Sequence, residues 1–122
     1  MNLAVTEIKP FVPAADIGQS KAFYAALGFE IRWSSSDLAY VRYGHAAFLL
    51  QAFDDRAFID NYMMHLLVAS ADDWHAHVVA SGVVERFGVR LTPPEDGPWA
   101  MRDFTLSDPA GVCWRIGQNI AG

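Results

Sequence analysis

Helix punctuation recurs in this chain at an interval of 54 residues, and a repeat of that kind restricts the fold to a duplicated unit. Asp16, with Gln19 behind it, opens a segment that Gly28 closes; Ser70, with Asp73 behind it, opens another that Gly82 closes. Short polar side chains at the start and glycine just past the end answer the N–H and C=O groups that helix termini leave without partners. Two copies of one module, set face to face, enclose a cleft whose floor can be read residue by residue.

The hydrophobic pattern fills in the modules. Ala4 to Val12 alternates and stops at Pro13, which predicts a strand followed by a turn. Ile17, Ser20, Phe23, Tyr24 and Leu27 follow helical spacing and predict a helix over 17–27. Glu30–Ser34, Leu38–Tyr43 and Ala46–Ala52 read as strands, with Gly44-His45 as a tight turn, so the first module is βαβββ over about residues 1–55. Phe53–Asn61 is a polar, acidic connection without clear period. The pattern then restarts with a strand over Met63–Val68, a helix over 71–81 with Trp74 and Val78 inward, and a strand over Val84–Arg90. LTPPEDGPWA (91–100) reads as a loop, and strands Arg102–Ser107 and Val112–Gln118 follow, joined by a turn at Asp108-Pro109-Ala110-Gly111. The second module, about 60–122, is also βαβββ. The expected fold is α+β, one domain of two βαβββ modules, and 52% hydrophobic composition over 122 residues is enough to give it a core.

Charge and cysteine content narrow the function. A net charge of −5, with Asp54, Asp55 and Asp60 in one connection and Glu95 and Asp96 in another, argues against nucleic acid and is compatible with a cationic ligand. No apolar run has the roughly 18 residues of a membrane span, and Met1–Lys9 lacks the features of a secretory signal, so the expected location is the cytoplasm. The single cysteine, Cys113, lies in an apolar run and reads as a buried, inert thiol.

PFVPAAD (10–16), FYAALGF (23–29) and SDPAGVCWRIGQ (107–118) together resemble the vicinal oxygen chelate superfamily, which includes glyoxalase I, fosfomycin-resistance enzymes and extradiol dioxygenases. Val12-Pro13 before Asp16, PPEDGPW (93–99) and Arg115 are similar to its bleomycin-resistance branch. The resemblance implies two βαβββ modules whose curved sheet wraps a ligand cleft, usually in a homodimer. It also implies that proteins of that branch sequester a planar, cationic antibiotic at the dimer interface and protect by binding alone.

Enzymes of the superfamily hold a divalent cation with four side chains, and the family spacing carries those positions to Lys9, Gln51, Met63 and Arg115. Such a cation takes deprotonated oxygen, nitrogen or thiolate donors. Lys9 and Arg115 bring positive charge instead, and unit charges 4 Å apart interact by roughly 4 kcal/mol even at an effective dielectric of about 20. The usual metal site is therefore expected to be absent, and no cofactor is implied. A displaced site from Glu7, Gln51 and His65 would need both strands to slip. His75 and His77, two apart on a helix, do not face one ion together; with His45 they read as solvated.

No nucleophile–base grouping stands out, so binding is the better-supported chemistry. Trp33, Phe53, Tyr62 and Trp99 fall at strand ends or in loops that would rim the cleft, where flat rings offer stacking area. Asp60 and its acidic neighbours favour a cationic guest. Lys9 and Arg115 are either neutralised by a carboxylate such as Glu7 or bind an anionic group. The candidate ligand contacts are Lys9, Trp33, Gln51, Phe53, Asp60, Tyr62, His65, Trp99 and Arg115. The expected protein is a homodimeric binder of a small molecule, with a glyoxalase-like lyase, transferase or dioxygenase, or a small-molecule sensor, as the alternatives.

Overall fold

The computed structural model describes residues 1–121. Its first sheet has the order β1-β4-β3-β2, from strands β1 (Phe11–Ala14), β2 (Glu30–Ser34), β3 (Leu38–Tyr43) and β4 (Ala46–Ala52). The second has the order β5-β8-β7-β6, from β5 (Met63–Leu67), β6 (Glu95–Gly97), β7 (Met101–Ser107) and β8 (Cys113–Asn119). In each sheet the first strand of the module runs parallel to the last, and the others pair antiparallel. The duplicated βαβββ unit is thus visible as two sheets with the same strand order.

Helix α1 (Ile17–Ala26) begins where the Asp16 carboxylate accepts the Gln19 N–H at 3.0 Å, and α3 (Ala71–Ser81) where Ser70 Oγ accepts the Asp73 N–H at 3.1 Å. Gly28 and Gly82 take left-handed φ values of 96° and 77° beyond the helix ends, which residues with a Cβ adopt at a cost.

Four sequence expectations differ. The first strand is Phe11–Ala14 rather than Ala4–Val12. Pro10 has no N–H to give a ladder, and residues 4–9 have no strand partner among the described residues. The connection Phe53–Asn61 contains a short helix, α2 (Arg56–Asp60), capped by Asp55. The segment expected as strand Val84–Arg90 is instead helix α4 (Val83–Phe87), closed by Gly88 in the left-handed region. Val83 and Phe87, four apart, share a helical face, and Val83 is fully buried. The second strand of the module is consequently displaced into the expected loop, where Glu95–Gly97 pairs with β7.

One core lies between the sheets. Phe48 of β4 and Trp114 of β8 meet with centroids 5.4 Å apart; Phe29 packs edge-on against both, and Tyr24 edge-on against Phe48 and tilted against Trp114. Phe23, Phe29 and Trp114 are buried, and Trp74, expected to point inward, is half-buried and packs against the core. Because side chains alternate along a strand, the odd-numbered residues of β4 and β8 point to the opposite, outer faces. The outer faces of the two sheets are turned away from each other.

Candidate functional site

On the outer face of the second sheet the register sets a grid. Thr105, Arg115 and His65 form one row, and Glu95, Asp103 and Gly117 the next. Segment 90–92 continues the edge: the Thr92 N–H donates to the Thr105 carbonyl at 3.0 Å, and Thr92 Oγ1 accepts the Thr105 N–H at 2.8 Å. A recess of about 410 Å³ opens here, lined by Thr92, Glu95, Asp103, Thr105 and Arg115 among others. A second, of about 260 Å³, shares Thr92 and Thr105 and reaches Asp60, Arg90, Ser107 and Cys113. Cys113, expected to be buried, is half-buried beside this second recess because its odd position places it on the outer face.

Arg115 is not a free cation: Nη1 donates to Asp103 Oδ2 at 2.9 Å. Lys9 is held likewise, with Nζ 3.5 Å from Glu7 Oε2. Glu7 also takes Arg42 Nη2 at 2.8 Å and the Tyr40 hydroxyl at 3.1 Å. Burial raises the Glu7 carboxyl, but the Tyr40 hydrogen bond and the charges of Arg42 and Lys9 outweigh it, and the net direction is down. Lys9 and Arg115 thus each have a carboxylate partner within the chain.

Within one chain the four positions that the family spacing assigns lie on different sheets. Lys9 and Gln51 belong to the first sheet's side and Met63 and Arg115 to the second, and the ladders place Pro13 beside Gln51 and His65 beside Arg115. The donors themselves do not suit a divalent cation: two are ion-paired cations, and Met63 is an exposed thioether. Glu7, committed to Arg42 and Lys9, is likewise unsuited to the displaced site with Gln51 and His65. Among the described residues no three His, Cys, Asp or Glu side chains gather as a cation would require. His45 and His77 are exposed as expected, His77 Nε2 also donating to the Leu27 carbonyl at 2.6 Å, whereas His75 is half-buried and packs edge-on against Phe104.

The aromatic candidates fall into three places. Trp33 stands on the outer face of the first sheet, paired with Tyr40 beyond a bulge and half exposed. Phe53 and Tyr62 flank α2, where Phe58, absent from the sequence reading, completes a ladder: Phe53–Phe58 and Phe58–Tyr62 centroids are each 5.5 Å apart. The Tyr62 hydroxyl donates to the Phe11 carbonyl at 2.7 Å, tying the start of β5 to β1. Trp99 is 91% exposed at the tip of the β6–β7 hairpin, where Trp99 and Ala100 both take positive φ, 69° and 49°. Gln51 and His65 are exposed on the outer faces of different sheets.

The acidic candidates are less available than their number implied. Asp60 pairs with Arg56 at 3.0 Å, Asp96 with Arg102 at 2.9 Å, and Asp55 caps α2. Arg56 in turn donates to the Ala110 carbonyl. Among the described residues Glu95 and Asp54 make no ion pair, and Glu95 lines the larger recess.

Two like-ordered βαβββ sheets around one core, with chemistry on their outward faces, define the class of glyoxalase-fold proteins. Residues 5–116 match the model of the Glyoxalase/Bleomycin resistance protein/Dioxygenase superfamily, and the chain belongs to that superfamily. Among solved structures it is similar to a bleomycin-binding protein complexed with bleomycin (TM-score 0.81, 23% identity, covering 94% of this chain and 99% of that one). It is also similar to the bleomycin-binding protein of bleomycin-producing Streptomyces verticillus complexed with copper(II)-bleomycin (TM-score 0.78, 26% identity, 98% and 99% covered). A lactoylglutathione lyase from Agrobacterium tumefaciens shares the fold at TM-score 0.68 and 17% identity, with 93% and 94% covered. Binding proteins and an enzyme thus both stand among its structural neighbours. No curated protein sequence matches the chain. Among the described residues no helix is long and apolar enough to cross a membrane.

Proposed function

We propose that the chain is a non-catalytic binding protein of the bleomycin-resistance type, a single cytoplasmic domain of modules 1–55 and 60–122 that sequesters a planar, cationic small molecule without metal. The observation that carries this reading is the Arg115–Asp103 pair. It supports the reading because Arg115, to which the family resemblance carries a cation-ligand position, is a guanidinium neutralised within the chain, beside a recess in which rings and polar groups could be held. Trp99, Trp33, Phe53 and Tyr62 supply stacking surface, Glu95 supplies uncommitted negative charge, and Lys9, Gln51, Asp60, His65 and Arg115 supply polar contacts at the rim. The bleomycin complex of the Streptomyces verticillus protein makes bleomycin the first ligand to test.

The cleft is proposed to close only in a homodimer. Within one chain the outer faces look apart, so Trp33 and Gln51 of one face reach His65 and Arg115 of the other only across a second copy. Leu3, Val5 and Ile8, each 80% exposed or more, offer that copy apolar surface. Titration of tryptophan fluorescence with copper(II)-bleomycin, alongside metal analysis and sedimentation, tests the proposal. Saturable quenching that weakens in Trp99→Ala, in a metal-free dimer, is expected. Stoichiometric zinc, manganese or iron in the purified protein would replace it with a metal-dependent enzyme, and silence across a panel of cationic aromatics with a sensor of another ligand.

A further inference from the structure

The hairpin that carries Trp99 has no apolar footing. Every residue from Glu95 to Ala100 is exposed, and β6 is three residues long. So short an edge strand, with nothing buried beneath it, is weakly held by its ladder alone. Trp99 and Ala100 also occupy the left-handed region, which residues bearing a Cβ keep only when their surroundings impose it. Something must fix the stem.

Arg102 does so from the inner side. Asp96 lies directly opposite it in the β6–β7 register, and both follow the even-numbered face on which Phe104 and Leu106 are buried further along. Past the limit of the core, Arg102 Nη1 donates to Asp96 Oδ1 at 2.9 Å, while Nε and Nη2 each lie 3.0 Å from Asp72 Oδ1 in the first turn of α3. A planar guanidinium can hold two carboxylates in a fixed fork, which a lysine ammonium does not reproduce. The recess residues Glu95 and Asp103 sit on the opposite face of the same stem.

We propose that Arg102 is a positioning residue: by fastening β6 to α3 through Asp96 and Asp72 it sets where Trp99 stands at the tip of the hairpin whose stem lines the outer-face recess, and so how tightly an aromatic ligand is held there. The inference rests on the binding role given to Trp99 above. It acts at a distance, since the Arg102 side chain faces away from the recess. Both carboxylates are largely exposed, so salt loosens the tether.

The test uses the full chain labelled with 5-fluorotryptophan, whose fluorine spectrum reports each of the four tryptophans, Trp99 being assigned by Trp99→Phe. Arg102→Ala is expected to move and narrow the Trp99 resonance while those of Trp33, Trp74 and Trp114 hold, with partial recovery in Arg102→Lys. Asp72→Asn and Asp96→Asn, each removing one leg, should move it in the same direction. Sodium chloride at about 0.5 M should shift the wild-type resonance toward the Arg102→Ala position and leave that variant unchanged. A Trp99 resonance indifferent to Arg102→Ala, Asp72→Asn and Asp96→Asn overturns the proposal whether or not a ligand binds. In the copper(II)-bleomycin titration Arg102→Ala should weaken affinity about three- to tenfold, and add nothing in a Trp99→Ala background. Equal weakening in both backgrounds overturns the proposal. If wild type binds no bleomycin, the binding role falls and the fluorine spectra alone decide whether Arg102 sets the tip.

Discussion

Tyr24 and Asp108, 84 positions apart and on different modules, meet in the core with the tyrosine hydroxyl donating to the carboxylate at 2.6 Å. Trp114 Nε1 donates to the same hydroxyl at 2.8 Å, and the other carboxylate oxygen accepts the N–H groups of Ala110, Gly111 and Val112. Every polar atom in this buried group has a partner, and the group joins α1 to the β7–β8 turn.

Tyr24→Phe removes one oxygen and strands two partners, the Asp108 carboxylate and the Trp114 N–H. Stranded buried groups cost about 1–3 kcal/mol each, so urea unfolding should show a loss of about 2–5 kcal/mol. A loss under about 0.5 kcal/mol would mean that the network contributes no stability.

Acid should act on this group and on Glu7 with opposite sign. Burial pushes the Asp108 carboxyl up by more than Tyr24 and the backbone N–H groups pull it down. Its folded-state value therefore exceeds the unfolded one, and its contribution is complete at low pH and lost as pH rises through the raised value. The lowered Glu7 carboxyl contributes above the ordinary range and loses that contribution as pH falls. Between about pH 4 and 7 the stability deficit of Asp108→Asn should shrink with rising pH, and that of Glu7→Gln should grow. Parallel trends in the two variants would contradict these assignments.

Ser20 Oγ is fully buried in α1 and has no hydrogen-bond partner among the described residues. Ser20→Ala deletes an unsatisfied hydroxyl and improves helix propensity, so it should stabilise by about 0.5–1.5 kcal/mol in thermal or urea unfolding. A destabilised variant would show that the hydroxyl is satisfied in solution.

A methyl group at Gly117 crowds two side chains: its Cβ would stand 2.7 Å from Met101 Sδ and 3.3 Å from Asp103 Cβ. Met101 Sδ is the far end of a flexible side chain and can swing aside, so Gly117→Ala should cost about 1 kcal/mol, the low end for overpacking. Met101→Ala in the same chain should return most of that loss in urea unfolding. Simple addition of the two single effects would place the strain on Asp103 instead.

What could be read without coordinates was what is written locally. The caps at Asp16 and Ser70 located both long helices because the capping bonds span only three residues. The run Val83–Phe87 misled because short stretches rich in β-branched and aromatic residues suit either a strand or a helix, and the flanking Gly82 and Gly88 decide for the helix. Strand β6 was invisible in its Pro/Gly-rich acidic setting, since its existence depends on β7 alongside it. Phe58 was missed with α2, although Asp55 three residues before it was a capping signal. The site divides in the same way: the exposure of Trp99 follows from its loop, whereas the pairing of Asp96 with Arg102 depends on the β6–β7 register and that of Asp60 with Arg56, four apart, on the unrecognised helix α2.

The contact of Phe48 with Trp114 fixes how the duplicated halves can evolve. Each half supplies a wall of the other's interior, so either half on its own would leave the aromatic rings of that shared wall bare. Drift on the outward surfaces leaves that bond intact, which frees the recess to change its guest while the paired interior stays as it is.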